Sequence, residues 1–205
     1  MKKLLRVGPL LFLLAGGLCA ANALQPIRQI DFRNFTFPWE GSFPDDGLDV
    51  PSEWHWMYGS PQSKLVLVNG RSDINEENLP QDVRGSLPLV TFESVTYGDL
   101  SADGAEDAAV NLTYHSGGTA NWSYLYIYKL EQGRLKLLSR LESGSRADGG
   151  LIAVSIEHGM LVLEFQDAAR EDGACCSAGF IRVRYRWRQG RFVEVGPREH
   201  GDLKQ

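Results

Sequence analysis

Three aspartates and a serine share one nine-residue segment, and their spacing is typical of a loop that could hold a hard cation. The segment runs from Asp99 to Asp107 and reads DLSADGAED. Side-chain oxygens stand at positions one, three, five and nine, and the glycine at position six permits a tight turn. We predict calcium held by Asp99, Ser101, Asp103 and Asp107 together with the Ala105 carbonyl. The alternative is a polar turn whose aspartates cap backbone N–H groups.

This acidic loop resembles the calcium loops of FG-GAP repeats in integrin-type propellers, where GDxxxDGxxD lies between two strands. The chain carries Gly98 before Asp99 and one copy of the pattern. It is not an EF-hand, because position twelve is Val110 instead of glutamate and the flanks are strand-like. The resemblance implies a calcium-stabilised hairpin.

Two of the three cysteines, Cys175 and Cys176, are adjacent, and the third is Cys19. Adjacent Cα atoms lie about 3.8 Å apart, below the usual disulfide range of about 4.4–6.8 Å. A bond between Cys175 and Cys176 would therefore be a strained clip within one loop. We predict a structural vicinal disulfide, with a redox switch as the alternative.

An aromatic run lies in a segment rich in proline and glycine, and Trp54, Trp56 and Tyr58 are its candidate binding residues. Exposed aromatic rings there could stack on sugar rings or anchor a partner. The alternative is a loop that its own aromatic side chains pin to the domain.

A stripe of four arginines alternates with apolar residues, which places all four on one face of a strand. The four are Arg182, Arg184, Arg186 and Arg188. A row of guanidinium groups could hold an anionic polymer. The alternative is a solvated face whose arginines pair with carboxylates such as Glu164 and Glu194.

Signals for catalysis are poor. The four histidines are scattered, and the chain has no G-x-S-x-G, HExxH or P-loop pattern. A hydrolase acting on cell-wall sugar would need the acidic loop as its carboxylate source and Trp54 and Trp56 beside it as a platform.

The chain has 205 residues, of which 43% are hydrophobic and 23% charged, with a net charge of −5. These values are typical of one folded domain and argue against a nucleic-acid binder. A basic start, an apolar stretch and Ala21-Asn22-Ala23 predict a signal peptide over residues 1–23. Its removal leaves 18 basic against 26 acidic residues, a net charge of −8. We expect a periplasmic or secreted protein with no further transmembrane segment, or a lipoprotein anchored through Cys19.

The rest of the chain predicts an all-β, mainly antiparallel meander that forms a β-sandwich or open barrel, within a single domain over 24–198. We expect a long loop over 38–63, mostly loop over 69–88, and a flexible tail over 199–205. The predicted strands are 27–37, 64–68, 89–97, 107–114, 122–130, 134–141, 151–157, 160–167, 179–188 and 191–195.

Two hairpins read alike, YIYKLEQGRLKLL over 126–138 and VRYRWRQGRFVEV over 183–195. Each centre is a Gln-Gly turn with glycine at a positive φ. These turns place Leu130 opposite Leu135 and Trp187 opposite Phe192. The likeness predicts that the chain contains two similar four-stranded blocks. They arise from an internal duplication, or the two hairpins have converged on the same turn sequence.

Over residues 27–195 the chain resembles a family of uncharacterised exported bacterial proteins. The motifs are IDFRNFTF at 30–37, VTYGDLSADGAEDAAV at 95–110, the 117–118 glycine turn, SRADGGL at 145–151 and ACC at 174–176. The resemblance implies an exported β-domain and supplies no catalytic residues.

The sequence therefore predicts a non-enzymatic exported β-domain that binds an envelope protein or a glycan, with calcium as its possible cofactor. The alternatives are a cell-wall hydrolase that uses the acidic loop and an exported enzyme inhibitor.

Overall fold

The chain forms thirteen strands and one 3₁₀ turn within the residues that the computed structural model describes. Those residues are 26–39, 54–57 (as backbone), 63–72, 89–115, 121–145, 149–170 and 177–203. The 3₁₀ turn is Ile27–Gln29. The strands of the first sheet are β1 Thr36–Trp39, β2 Trp54–Met57, β3 Ser63–Val68, β4 Arg71–Ser72, β5 Leu89–Gly98, β6 Asp107–His115, β7 Asn121–Glu131 and β8 Arg134–Ser143. Those of the second are β9 Leu151–Glu157, β10 Met160–Gln166, β11 Gly179–Arg188, β12 Arg191–Glu194 and β13 Glu199–Asp202.

The strands form two antiparallel sheets. The eight-stranded sheet has the order β1-β3-β4-β5-β6-β7-β8-β2 and curls into a half-barrel. The second sheet has the order β12-β11-β10-β9, with β13 also paired to β11. The predicted all-β meander is therefore confirmed, and β5–β8 and β9–β12 are two four-stranded meanders in chain order. In the described part of the chain, no helix has the length and apolar character needed to cross a membrane.

The core between the two sheets forms because alternate residues of each strand point to the same face. Leu125 and Ile127 of β7 pack in one buried cluster with Leu163 and Phe165 of β10 and with Phe192 of β12. All five side chains are at most 5% exposed. This cluster makes the two meanders one folded unit.

A second core lies on the opposite face of β6 and β7. Tyr126 and Tyr128 alternate with the residues of the first cluster and pack against Phe32 and Phe37 of the N-terminal segment. The rings of Phe37 and Tyr126 lie 5.1 Å apart, and the Tyr126 hydroxyl donates to the Pro38 carbonyl at 2.9 Å. Strands β6 and β7 are consequently buried on both faces, which explains their long apolar runs.

The two Gln-Gly hairpins have the predicted register. Leu130 pairs with Leu135, and Trp187 pairs with Phe192. Glutamine and glycine both have positive φ in each turn, 52° and 76° at 132–133 and 51° and 82° at 189–190. These angles define type I′ turns, whose twist matches that of the strands they join.

The N-terminal part departs from the prediction. A strand is expected over 27–37, but residues 27–29 form a 3₁₀ turn and the strand starts at Thr36. The cause is local, because the Asp31 carboxylate accepts from the Arg33 amide at 3.0 Å and the Asn34 side chain at 2.8 Å. These bonds stabilise a turn in place of a strand.

Three short strands lie where the sequence predicts loop or tail. Strand β2 falls within 38–63 and pairs with β8, and β4 falls within 69–88 and pairs with β3. Strand β13 falls within the predicted tail 199–205 and pairs with β11. Long-range pairing stabilises β2 and β13, and neither shows the alternation that would identify a strand locally.

Candidate functional site

A cavity of about 170 Å³ opens where the two sheets meet at one end of the first core. Its walls come from β6, β7, β9, β10 and the connection between β8 and β9. The lining residues are Thr113, Asn121, Ser123, Gly144, Gly150, Leu151 and Gln166. We call it the seam cavity. Its lining offers hydroxyl, amide and backbone groups and carries no formal charge.

Gln166 lines the seam cavity and carries an unsatisfied acceptor. Its Oε1 atom is buried and accepts no hydrogen bond from the described residues. A buried acceptor without a donor costs free energy, because water no longer solvates it. A ligand hydroxyl or amide that donates to Oε1 would recover that energy.

Ser143 fixes the geometry of the cavity walls. Its buried Oγ accepts from the backbone amides of Ser123 at 3.3 Å and Leu151 at 3.2 Å, and it donates to the Gly144 carbonyl at 3.0 Å. One hydroxyl therefore joins β7, β8 and β9 beside the cavity. Replacing it would remove the hydrogen bonds that tie Ser123 and Leu151 to the end of β8.

A chain of polar side chains holds Asn121 at the cavity rim. The Thr91 hydroxyl donates to the Glu93 carboxylate at 2.7 Å and lies 3.0 Å from Nε2 of His115, whose Nδ1 lies 3.2 Å from Asn121 Oδ1. The Thr91 proton is directed to Glu93, so it is not directed to His115. These four side chains therefore orient Asn121 at the cavity rim.

The acidic loop is closed by its own backbone. Asp99 accepts from the amides of Asp103 at 3.1 Å and Gly104 at 3.0 Å. Asp107, which is 1% exposed, accepts from the amides of Leu100 at 2.9 Å and Ser101 at 2.6 Å and from the Ser101 hydroxyl at 3.3 Å. Burial raises the pKa of Asp107, and these hydrogen bonds oppose that shift. This geometry favours the polar turn with aspartate caps.

Lys129 pairs with one carboxylate of the acidic loop. Its Nζ atom lies 2.7 Å from Asp103 Oδ2, and Asp103 Oδ1 accepts from the Ala105 amide at 3.0 Å. The hydrogen bond between Lys129 and Asp103 lowers the pKa of Asp103 and raises the pKa of Lys129. Every carboxylate oxygen of Asp99, Asp103 and Asp107 thus already accepts a hydrogen bond. The Lys129 ammonium beside Asp103 opposes a second cation there, and calcium binding stays a prediction of the sequence.

The sheet register separates the acidic loop from β2. The register aligns Asp107 of β6 with Lys129 of β7 and Lys136 of β8. Trp54 instead pairs with Ser143 at the other end of β8. Seven residues along that strand correspond to about 23 Å. One cleft containing the loop carboxylates and the Trp54 backbone is therefore not formed, which argues against the hydrolase that the sequence allows.

The arginine stripe divides into a paired and an unpaired half. Arg182 contacts Glu164 at 2.8 Å, and Arg184 contacts Glu199 at 2.8 Å. Glu194, expected as a partner of the stripe, instead pairs with Arg198 at 2.9 Å. The other two arginines, Arg186 and Arg188, are exposed and have no ion pair within the described residues.

Several predicted site residues cannot be placed. Cys175, Cys176 and Tyr58 lie outside the described residues, and so do residues 1–25. Trp54 and Trp56 are described only as backbone of β2, the edge strand beside β8.

A buried carboxylate on the second core was not found from the sequence. Glu142 accepts from the Tyr124 hydroxyl at 3.2 Å through Oε1, and its Oε2 is buried with no partner among the described residues. Burial raises the pKa of Glu142 to about 7. The sequence gives no hint of this, because the partner hydroxyl of Tyr124 comes from β7, 18 residues away.

The seam cavity was also missed, because its lining residues come from distant segments and belong to common polar types. No family model, curated protein or solved structure matches this chain. The fold and the cavity together describe an all-β protein with a small, uncharged polar site.

Proposed function

We propose that this protein is an exported, non-enzymatic β-domain that binds a small neutral polar group, such as one sugar ring of an envelope glycan, in the seam cavity. The observation that carries the proposal is that Gln166, which lines the cavity, has a buried Oε1 with no donor in the described part of the chain. A turn of its side-chain amide would present this acceptor to a ligand.

The size of the cavity supports a small ligand group. Its 170 Å³ is well below the range of about 300–1,000 Å³ that suits drug-sized ligands. A single ring or a short side chain therefore fits, with the rest of a polymer outside the cavity.

The chemistry of the lining supports a neutral ligand. Thr113 and Ser123 can donate or accept, Asn121 does both, and Gln166 needs a donor. A sugar ring offers both kinds of group around its edge. A charged ligand would find no opposite charge in the lining.

An NMR titration with N-acetylglucosamine and its short oligomers tests the proposal. We expect amide shifts at Ser123, Gly144 and Gly150. Thr113→Val removes one hydroxyl at constant shape and should weaken binding about tenfold, the value of one hydrogen bond of about 1.4 kcal/mol. Thr36→Val, at an exposed position of β1, is the matched control and should bind like wild type.

Gln166→Met separates binding from folding. Removing the unpartnered acceptor should leave the free energy of unfolding unchanged or raise it, while ligand binding is lost. Binding that survives in Gln166→Met, or shifts confined to other surfaces, would refute the proposal.

A further inference from the structure

The tip of the β11–β12 hairpin concentrates positive charge in an acidic protein. Arg186, Arg188 and Arg191 are all exposed there, around the turn at 189–190. Within the described residues, none of them has an ion pair. We call these three residues the arginine tip.

The two arginines at the end of the hairpin oppose each other. Arg188 and Arg191 are direct cross-strand partners. Like charges in that position repel and destabilise a hairpin. The similar turn at 132–133 has the favourable arrangement, because Glu131 lies opposite Arg134. The pair of Arg188 and Arg191 therefore destabilises the hairpin, whereas a glutamate at position 188 would stabilise it.

The carboxylates of the same sheet do not neutralise the tip. Glu164 and Glu199 contact Arg182 and Arg184, and Glu194 contacts Arg198. Glu157 faces the same side from β9, beyond β10, and the Ser155 hydroxyl donates to it at 3.2 Å. The charge of the tip is thus available to an outside anion.

We infer that the arginine tip binds a phosphate-bearing polymer. Guanidinium groups grip phosphate oxygens in pairs, and three of them close together suit successive phosphates of one chain. Neighbouring side chains on one strand face lie about 6.8 Å apart, and Arg191 adds a third donor group beside Arg188.

A membrane surface fits the tip less well. Membrane-binding basic clusters usually hold about four to eight lysines or arginines, often with apolar residues that insert. The large exposed apolar side chains of the described residues are Val66, Val68 and Ile152, and none of them belongs to this hairpin.

Fluorescence anisotropy with labelled inorganic polyphosphate over a salt series tests the inference. Three contacts to a flexible chain predict that the logarithm of the affinity falls with the logarithm of salt concentration with a slope of about −2. Arg191→Gln should reduce that slope by about 0.7. Arg134→Gln, at the equivalent place in the other hairpin, is the matched control and should leave it unchanged.

Arg188→Glu should change thermal stability and polyphosphate binding in opposite directions. It places a glutamate opposite Arg191, as in the other hairpin, so the melting temperature should rise while polyphosphate binding is lost. Equal binding by Arg188→Glu and wild type would overturn the inference. Binding to anionic phosphatidylglycerol vesicles without binding to polyphosphate would overturn it in favour of a membrane.

Discussion

The ammonium group of Lys129 lies 2.7 Å from the Asp103 carboxylate, so a strand residue supplies the positive charge at the mouth of the acidic loop. The Lys129 side chain is 15% exposed and the Asp103 side chain 38%. The pair joins β7 to the loop between β5 and β6. Together with the ion pair between Arg28 and Glu106, it offsets part of the negative charge of the four carboxylates in this loop.

Lys129→Met should destabilise the fold. Methionine keeps most of the aliphatic stem but leaves Asp103 without its ion-pair partner. Because the pair is partly exposed, we expect a loss of about 1 kcal/mol in the free energy of unfolding, measured by urea denaturation. Lys136→Met is the control, since its pair with Glu131 is exposed on both sides, and it should change stability by less than about 0.5 kcal/mol. Equal losses in the two variants would contradict this role for Lys129.

Calcium should not stabilise the wild-type loop, because the Lys129 ammonium already pairs with Asp103 and opposes a second cation beside it. We expect the same melting temperature by calorimetry in calcium as in EDTA. In Lys129→Met, Asp103 Oδ2 is released, and calcium should raise the melting temperature relative to EDTA. A clear rise in the wild type would show instead that the loop rearranges around the ion, as the spacing of its aspartates predicts.

Glu142 should make the protein more stable as the pH falls from about 8 to about 5. Its pKa is raised by burial from 4.5 to about 7, so the folded state binds the proton more tightly than the unfolded state. Stability is therefore gained as the pH falls through the folded pKa, and the gain is complete below the unfolded pKa. The upper limit is about 3 kcal/mol. Urea denaturation across this range should show the slope in the wild type.

Glu142→Gln should flatten that slope, because the titrating group is gone. Glu157→Gln is the control, since Glu157 is exposed on β9, and it should keep the slope of the wild type. A slope that persists in Glu142→Gln would assign it to another group.

Gly190→Ala should cost about 1–2 kcal/mol through backbone strain alone. Gly190 has a φ of +82°, and nothing lies within 4 Å of a Cβ added there. Thermal unfolding measures the loss. Gln189→Asn is the matched control in the same turn, since asparagine favours the left-handed conformation that residue 189 adopts, and it should be neutral or stabilising.

The sequence predicts the parts of the fold that local chemistry determines. Alternating apolar residues and the Gln-Gly turns locate the two meanders, and the register of both hairpins follows from them. Residues 27–29 are mispredicted because the Asp31 turn competes with strand pairing. Strand β13 depends on a distant partner, which periodicity does not reveal.

The candidate sites were harder to predict than the strands. The arginine stripe is visible in the sequence, but its division into paired and unpaired halves depends on Glu199 from β13. Lys129 stands 26 residues from Asp103, so the spacing of the acidic loop does not include it. The seam cavity combines five separate elements, and Gln166 has no distinguishing neighbour in the chain.

The double burial of β6 and β7 has a consequence for how the molecule opens. Leu125 and Tyr126 are neighbours in the chain, yet they belong to different cores. Losing either core would expose one side of the same pair of strands. Detaching the N-terminal segment or the second sheet would therefore cost a large free energy. Amide hydrogens along β6 and β7 should therefore exchange last, and only when the whole domain unfolds.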